Sequence, residues 1–213
     1  MPSLIIKNLK PTSLIDDILS QKLTSFAALN AETPFLLVNL SNDPGGDMEA
    51  ALSAIALRNY GVSPSGQSDL DFYTVAQSEL KRQAAHSLNS ETNRDGLKQR
   101  ILEKPHFVFS LMKFPSKMAN PGHISLGRFG RTNKMDIILR HGSISKFHGW
   151  FEMDTDKALY VVDAGSKNGI TIDDAAIAKY QSIRVDACSA VCLGSVVVSL
   201  CYADDLWRIV HDR

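Results

Sequence analysis

The sequence predicts an α+β chain in two parts: a mostly helical part over residues 1–103, then an all-β sandwich over residues 104–213. Apolar residues recur at helical spacing through the first hundred positions. From His106 they fall into short Val- and Ile-rich runs separated by turn residues. The composition, 44% hydrophobic and 22% charged over 213 residues, is that of an ordinary globular chain long enough for a core in each part.

Ser13 and Asp16 have capping-box spacing, and Leu14, Ile15, Ile18, Leu19, Leu23 and Phe26 follow at helical intervals. Thr33-Pro34 opens a short apolar run, Phe35-Leu36-Leu37-Val38, read as a strand or a buried connector. After the SNDPGG turn, Asp47 is placed to cap a second helix carrying Met48, Ala51, Leu52 and Ile55 and ending at Gly61. A polar loop leads to a third helix from about Leu70, with Phe72, Val75, Leu80 and Leu88. A short fourth covers Leu97 to Glu103, ended by Lys104-Pro105. Strands are expected at 106–114, 123–127, 136–139, 148–153, 158–163, 170–172, 182–185, 195–202 and 206–210. Asp173-Asp174 and Asp204-Asp205 read as solvated turn acids, and Trp150 and Trp207 as strand core.

Lys+Arg and Asp+Glu both number 23, so the net charge is zero. That excludes a general nucleic-acid binder, whose affinity rests on a basic excess, and a polybasic membrane anchor. No run approaches the ~18 apolar residues of a membrane span. The first residues, MPSLIIKNLKPTS, carry no secretory signal, and a cytoplasmic location is expected. Cys188, Cys192 and Cys201 lack disulfide or zinc spacing and are expected to be reduced thiols; no metal and no cofactor is expected. The balance of charge is uneven: residues 1–100 carry net −2 and residues 101–213 net +2.

Three pieces of the β region matter through their order. They are Gly127-Arg128, then Ser145-Lys146-Phe147-His148, then Ser166-Lys167-Asn168-Gly169, with GRFGRTNKMDIIL, SISKFHGWFEM and LYVVDAGSKNG around them. Each alone is weak, since Ser-x-Asn-Gly is an ordinary turn. In this order they resemble the forkhead-associated (FHA) domain, in a bacterial-type FHA-containing protein. The resemblance spans residues 106–210 and leaves residues 1–100 unrecognised. It implies an FHA-like β-sandwich that binds phosphothreonine without catalysis. By the resemblance, Arg128, Ser145, Lys146, Lys167 and Asn168 are the phosphothreonine-binding residues, and Ser143 is a peptide-specificity residue. Gly127, His148 and Gly169 support the site. The group they would hold carries about −1.5 to −2 charge and three acceptor oxygens. Two departures from the family pattern are Ile170 after the Asn-Gly and Asp173-Asp174 in place of the next Asn-Gly turn.

The partner implied is a phosphothreonine-containing protein, a Ser/Thr kinase or its substrate, with no nucleic acid and no membrane; oligomeric state is left open. Two other readings stand beside it. In one, the sandwich is a phosphate-independent protein–protein scaffold with the helical half as the interface. In the other, the chain is an enzyme with its active site in the helical half, where no cluster of acid, base and nucleophile supports it; separately, Ser145, His148 and Asp163 invite a nucleophile–base–acid reading, against which no Gly-x-Ser-x-Gly elbow is present.

Overall fold

The computed structural model describes residues 5, 8–10, 12–20, 33–41, 43, 45–60, 91–111 and 119–211. The helix expected from Leu70 lies outside the described residues. The elements, in chain order, are β1 (Leu9–Lys10), α1 (Thr12–Ser20), β2 (Phe35–Asn39), α2 (Asp47–Tyr60), α3 (91–103), β3 (His106–Ser110), β4 (Ile124–Gly130), β5 (Ile137–Ile138), β6 (Gly149–Met153), β7 (Leu159–Asp163), β8 (Ile170–Ile172), β9 (Ala175–Ala176), β10 (Ser182–Val185), β11 (Val191–Leu193), β12 (Val196–Cys201) and α4 (Ala203–His211).

Two sheets face each other, a seven-stranded one in the order β1-β3-β2-β12-β11-β8-β9 and a five-stranded one in the order β10-β7-β6-β4-β5. Between them Leu36, Val38, Phe107, Phe109, Leu126, Phe129, Phe151, Val161, Leu193 and Val198 form one core. A second core lies on the other face of the larger sheet. There Phe35, Leu37, Val108 and Cys201 meet Leu14, Ile15 and Ile18 of α1, Leu97 and Ile101 of α3, and Leu206 and Ile209 of α4. The two cores explain the unbroken Phe-Leu-Leu-Val run. Successive side chains of a strand point to opposite faces, and β2 is covered on both.

The boundary drawn at residue 103 is therefore crossed. β2 pairs antiparallel with β12, Val38 opposite Val198 and Phe35 opposite Cys201. On its other edge it pairs with β3, Leu36 opposite Phe109. α3 is tied to the same sheet and to α4: Arg100 donates to Ser199 Oγ of β12 at 3.2 Å and to the Cys188 carbonyl at 2.9 Å, and Arg94 pairs with Asp205 of α4 at 3.1 Å. α2 buries Met48, Leu52, Ile55 and Ala56 in the inter-sheet core and packs on β3 and β5. Its N-terminus is capped from further back than expected. Asp43, not Asp47, accepts from the amides of Met48 (3.1 Å) and Glu49 (2.8 Å).

Residues 206–210 are helix, not strand. Ala203, Leu206, Ile209 and Val210 recur at helical spacing on the buried face. Asp204 and Asp205 sit in the first turn, where the helix dipole favours acids, and Arg208 reaches back to Asp204 at 2.9 Å. Asp205 is thus no solvated turn acid: it is 7% exposed, and Trp207 belongs to this helix. Trp150 is strand core as expected, with a polar anchor: its indole donates to Glu152 at 2.6 Å. Burial works to raise the Glu152 carboxyl, but hydrogen bonds from Trp150, His123 and Asn120 outweigh it and hold it below the ordinary range.

Asp173 and Asp174 form the two-residue turn of the β8–β9 hairpin, with φ of 46° and 68°. That is the turn for which Asn-Gly is the usual choice. Asp173 is retained by its side chain, which accepts from the Ala190 amide at 3.2 Å, whereas Asp174 is exposed. Asp174→Gly is expected to raise stability by about 0.5 kcal/mol, because glycine enters the left-handed region without a Cβ clash. A thermal melt of the two chains checks it.

Candidate functional site

The loops joining β4 to β5, β5 to β6 and β7 to β8 meet at one end of the sandwich. They enclose a cleft of about 450 Å3 lined by Arg131, Ser143, Ser145, Lys146, Phe147, Lys167 and Asn168 among others. The sequence here is one-sided. Residues 127–148 contain five Lys/Arg and a single acid, Asp136, so this end is electropositive although the chain is neutral.

Ser145 Oγ accepts from the Lys167 amide at 3.0 Å, and its own proton has no acceptor among the described residues. Lys146 and Lys167 are exposed beside it. Asn168 Nδ2 donates to the Ser143 carbonyl at 2.8 Å, bracing the two loops across the cleft. The Ser143 hydroxyl is turned away, accepting from the Ser195 amide at 3.0 Å and lying 2.8 Å from His141 Nδ1.

His148 is fully buried and bridges both loops. Its Nδ1 accepts from the Ser145 amide and its Nε2 donates to the Gly169 carbonyl, each at 3.1 Å. An amide donor at Nδ1 requires the neutral ring with its proton on Nε2. Burial pushes the His148 pKa below the ordinary histidine value, only partly offset by the Gly169 hydrogen bond. His106, also buried, is shifted the same way. The unfolded chain then binds more protons than the folded one, so the stability of the neutral rings is present above the ordinary value of about 6.5 and is lost as pH falls below it. Urea denaturation is expected to show a lower midpoint at pH 5.5 than at pH 7.5. His148→Gln, which removes the buried titrating ring, should flatten part of that dependence.

Ser145, His148 and Asp163 do not form a relay. Both ring nitrogens of His148 are engaged by backbone, and Asp163 accepts from the Ser166 amide (2.6 Å) and hydroxyl (3.1 Å). The same Ser166 hydroxyl holds the Gly169 amide at 2.9 Å. Gly169, at φ 75°, takes a conformation that a Cβ would strain.

Arg128 lies outside the cleft. Its Nε and Nη2 grip the two oxygens of Asp136 at 2.9 and 3.2 Å, and its amide donates to the same carboxylate at 2.9 Å. Burial favours a raised Asp136 pKa, but these Arg128 bonds hold it below the ordinary value. Gly127 precedes it in a β-bulge of β4, at φ 123°. The arginine that lines the cleft is the next one. The sequence GRFGR contains two Gly-Arg pairs, and the resemblance above assigns the phosphate to the first. The distinguishing signal is close packing. A Cβ at Gly130 would collide with the Lys146 carbonyl, and the Arg131 amide donates to the Ser145 carbonyl at 3.0 Å. The exposed Arg131 guanidinium has no partner among the described residues.

The FHA domain family model matches residues 127–194. No curated protein matches the chain. Among solved structures, the FHA domain of the CT664 protein from Chlamydia trachomatis is similar at 25% identity, over 44% of this chain and 83% of that one, with a TM-score of 0.36. The N-terminal FHA domain of Rad53p from S. cerevisiae, in complex with a phosphothreonine peptide, is similar at 16% identity, over 47% of this chain and 88% of that one, with a TM-score of 0.38. Among the described residues no helix is long and apolar enough to cross a membrane.

Proposed function

The chain carries an FHA domain over residues 127–194, and from that premise we propose that it is a non-catalytic reader of a phosphothreonine-containing protein. The observation that carries the reading is convergence. Three exposed cations, Arg131, Lys146 and Lys167, line one cleft together with a serine hydroxyl whose proton is uncommitted. Arg131 presents a planar donor fork to two phosphate oxygens, Ser145 donates a third bond, and the two lysines neutralise the remaining charge. Asn168 holds the peptide backbone beside the phosphothreonine, and Gly127, His148 and Gly169 keep the loops in place. Ser143 acts through its carbonyl, which anchors Asn168, rather than through its hydroxyl.

A hydrogen bond to a charged group contributes about 1.5–3 kcal/mol net. Several of them, less the cost of association, give an affinity near micromolar, about −8 kcal/mol. Such a reader acts downstream of a Ser/Thr kinase, on the kinase or its substrate, in signalling or phospho-dependent assembly. Titration with matched peptides bearing phosphothreonine, phosphoserine, phosphotyrosine or plain threonine tests it. Binding is expected to require the phosphate and to be tightest for phosphothreonine; equal binding of all four sinks the reading. The scaffold alternative has less support, because among the described residues α1 and α3 bury Leu14, Ile15, Ile18, Leu97 and Ile101 against the larger sheet and α2 buries Met48 and Leu52 between the sheets.

A further inference from the structure

We infer that the binding surface extends past the phosphate cleft into a second groove, which takes a bulky apolar side chain of the same phosphopeptide; this rests on the phosphothreonine reading above. The groove, about 640 Å3, is lined by Thr132, Asn133, Lys134, Met135, Lys146 and Phe147. It adjoins the cleft, since Lys146 and Phe147 line both. A peptide anchored by its phosphate on one side of Lys146 therefore reaches the groove within a few residues, each step covering at most ~3.6 Å.

The groove is built before any ligand arrives. The Thr132 hydroxyl donates to the Lys146 carbonyl at 3.1 Å, fixing the spacing of the two walls. Phe147 stacks on Trp150 with ring centroids 6.1 Å apart, and Trp150 is itself tethered to Glu152. The far end of the β4–β5 loop is held by the Arg128–Asp136 grip. Such preorganisation lowers the cost of binding. The chemistry of the lining selects the occupant. Met135 and Phe147 offer apolar surface, the methionine being able to adapt to different shapes. Lys134 and Lys146 are exposed at the edge and complement the negative charge of a phosphorylated peptide rather than a basic one.

The experiment is a set of phosphothreonine peptides, titrated into the full chain, in which each flanking position carries Leu, Phe or Ser in turn. One flanking position is expected to prefer Leu or Phe over Ser by about 10-fold, the worth of partly burying one such side chain. Met135→Ser, at a half-buried loop position outside the phosphate cleft, should reduce that preference to about 2-fold or less while leaving affinity for the Ser-flanked peptide unchanged; Phe147→Ser should reduce the preference likewise, with a loss of affinity for every phosphopeptide because Phe147 also lines the phosphate cleft. The inference is overturned if wild type binds phosphothreonine with no apolar preference at any flank. That would also be the outcome if another segment of this chain or a second copy filled the groove. A preference that survives in both variants overturns it too. Failure of wild type to bind any phosphothreonine peptide removes the phosphothreonine reading itself, and the inference with it.

Discussion

A chain beginning at residue 104 is expected not to hold its β-sandwich together. Such a truncation removes β2 from between β3 and β12, so the larger sheet loses both ladders that join its halves. Phe35, Leu36, Leu37 and Val38 are each 0% exposed. Burying a side chain of this kind contributes about 1.5–3 kcal/mol, so the four together are worth about 6–12 kcal/mol, comparable with the whole stability of a domain, about 5–15 kcal/mol. The truncation also uncovers Val108, Cys201, Leu206 and Ile209, which α1 and α3 cover, and leaves Asp205 buried without Arg94. Two long strand edges would be newly exposed, which favours aggregation. We therefore propose that the described residues before 104 and the sandwich are one folding unit. Urea denaturation of residues 104–213 beside the full chain checks it. A cooperative transition at an unchanged midpoint would restore a separable domain.

Arg131→Ala is expected to weaken phosphothreonine-peptide binding by roughly 10- to 150-fold, the loss of about 1.5–3 kcal/mol of charged hydrogen bonding, with little change in folding stability, because the guanidinium has no partner to lose among the described residues. Arg131→Lys keeps the charge but not the fork, and is expected to fall between. Arg128→Ala should behave in the opposite way. It releases Asp136, whose carboxylate is 18% exposed and held by three bonds from Arg128. Its main effect is then on stability and on the order of the β4–β5 loop, with a smaller, indirect effect on affinity. Measuring both affinity and unfolding midpoint in the two variants separates the roles. Full loss of binding in a stably folded Arg128→Ala, with Arg131→Ala unaffected, would return the phosphate to the first Gly-Arg pair.

Much of this was legible in the residues. Most strands of the sandwich show as short apolar runs because they are half-buried or more, whereas the exposed two-residue β9 and the three-residue β11 are not among the expected strands, and α2 shows because Met48, Leu52 and Ile55 repeat on one face. The ordered Ser145, His148 and Asn168 motifs mark loops that the structure brings to one end. What was hidden has physical causes. A five-residue run such as Phe35–Asn39 looks alike whether it lies inside a helical domain or in the middle of a sheet; its partners are far away in sequence. Leu206 to Val210 is too short for its helical period to outweigh its β-branched content. The proposed choice of Arg131 over Arg128 rests on which glycine meets another backbone and which arginine meets Asp136, and neither is a property of local sequence.

The most direct test of the phosphate site is where the phosphate goes. In crystals of the full chain with a phosphothreonine peptide, phosphate oxygens are expected within about 2.7–3.0 Å of the Arg131 guanidinium and the Ser145 hydroxyl, with Lys146 and Lys167 on either side and Arg128 still bound to Asp136. A phosphate held by any other set of residues, with this cleft unoccupied, would contradict the assignment.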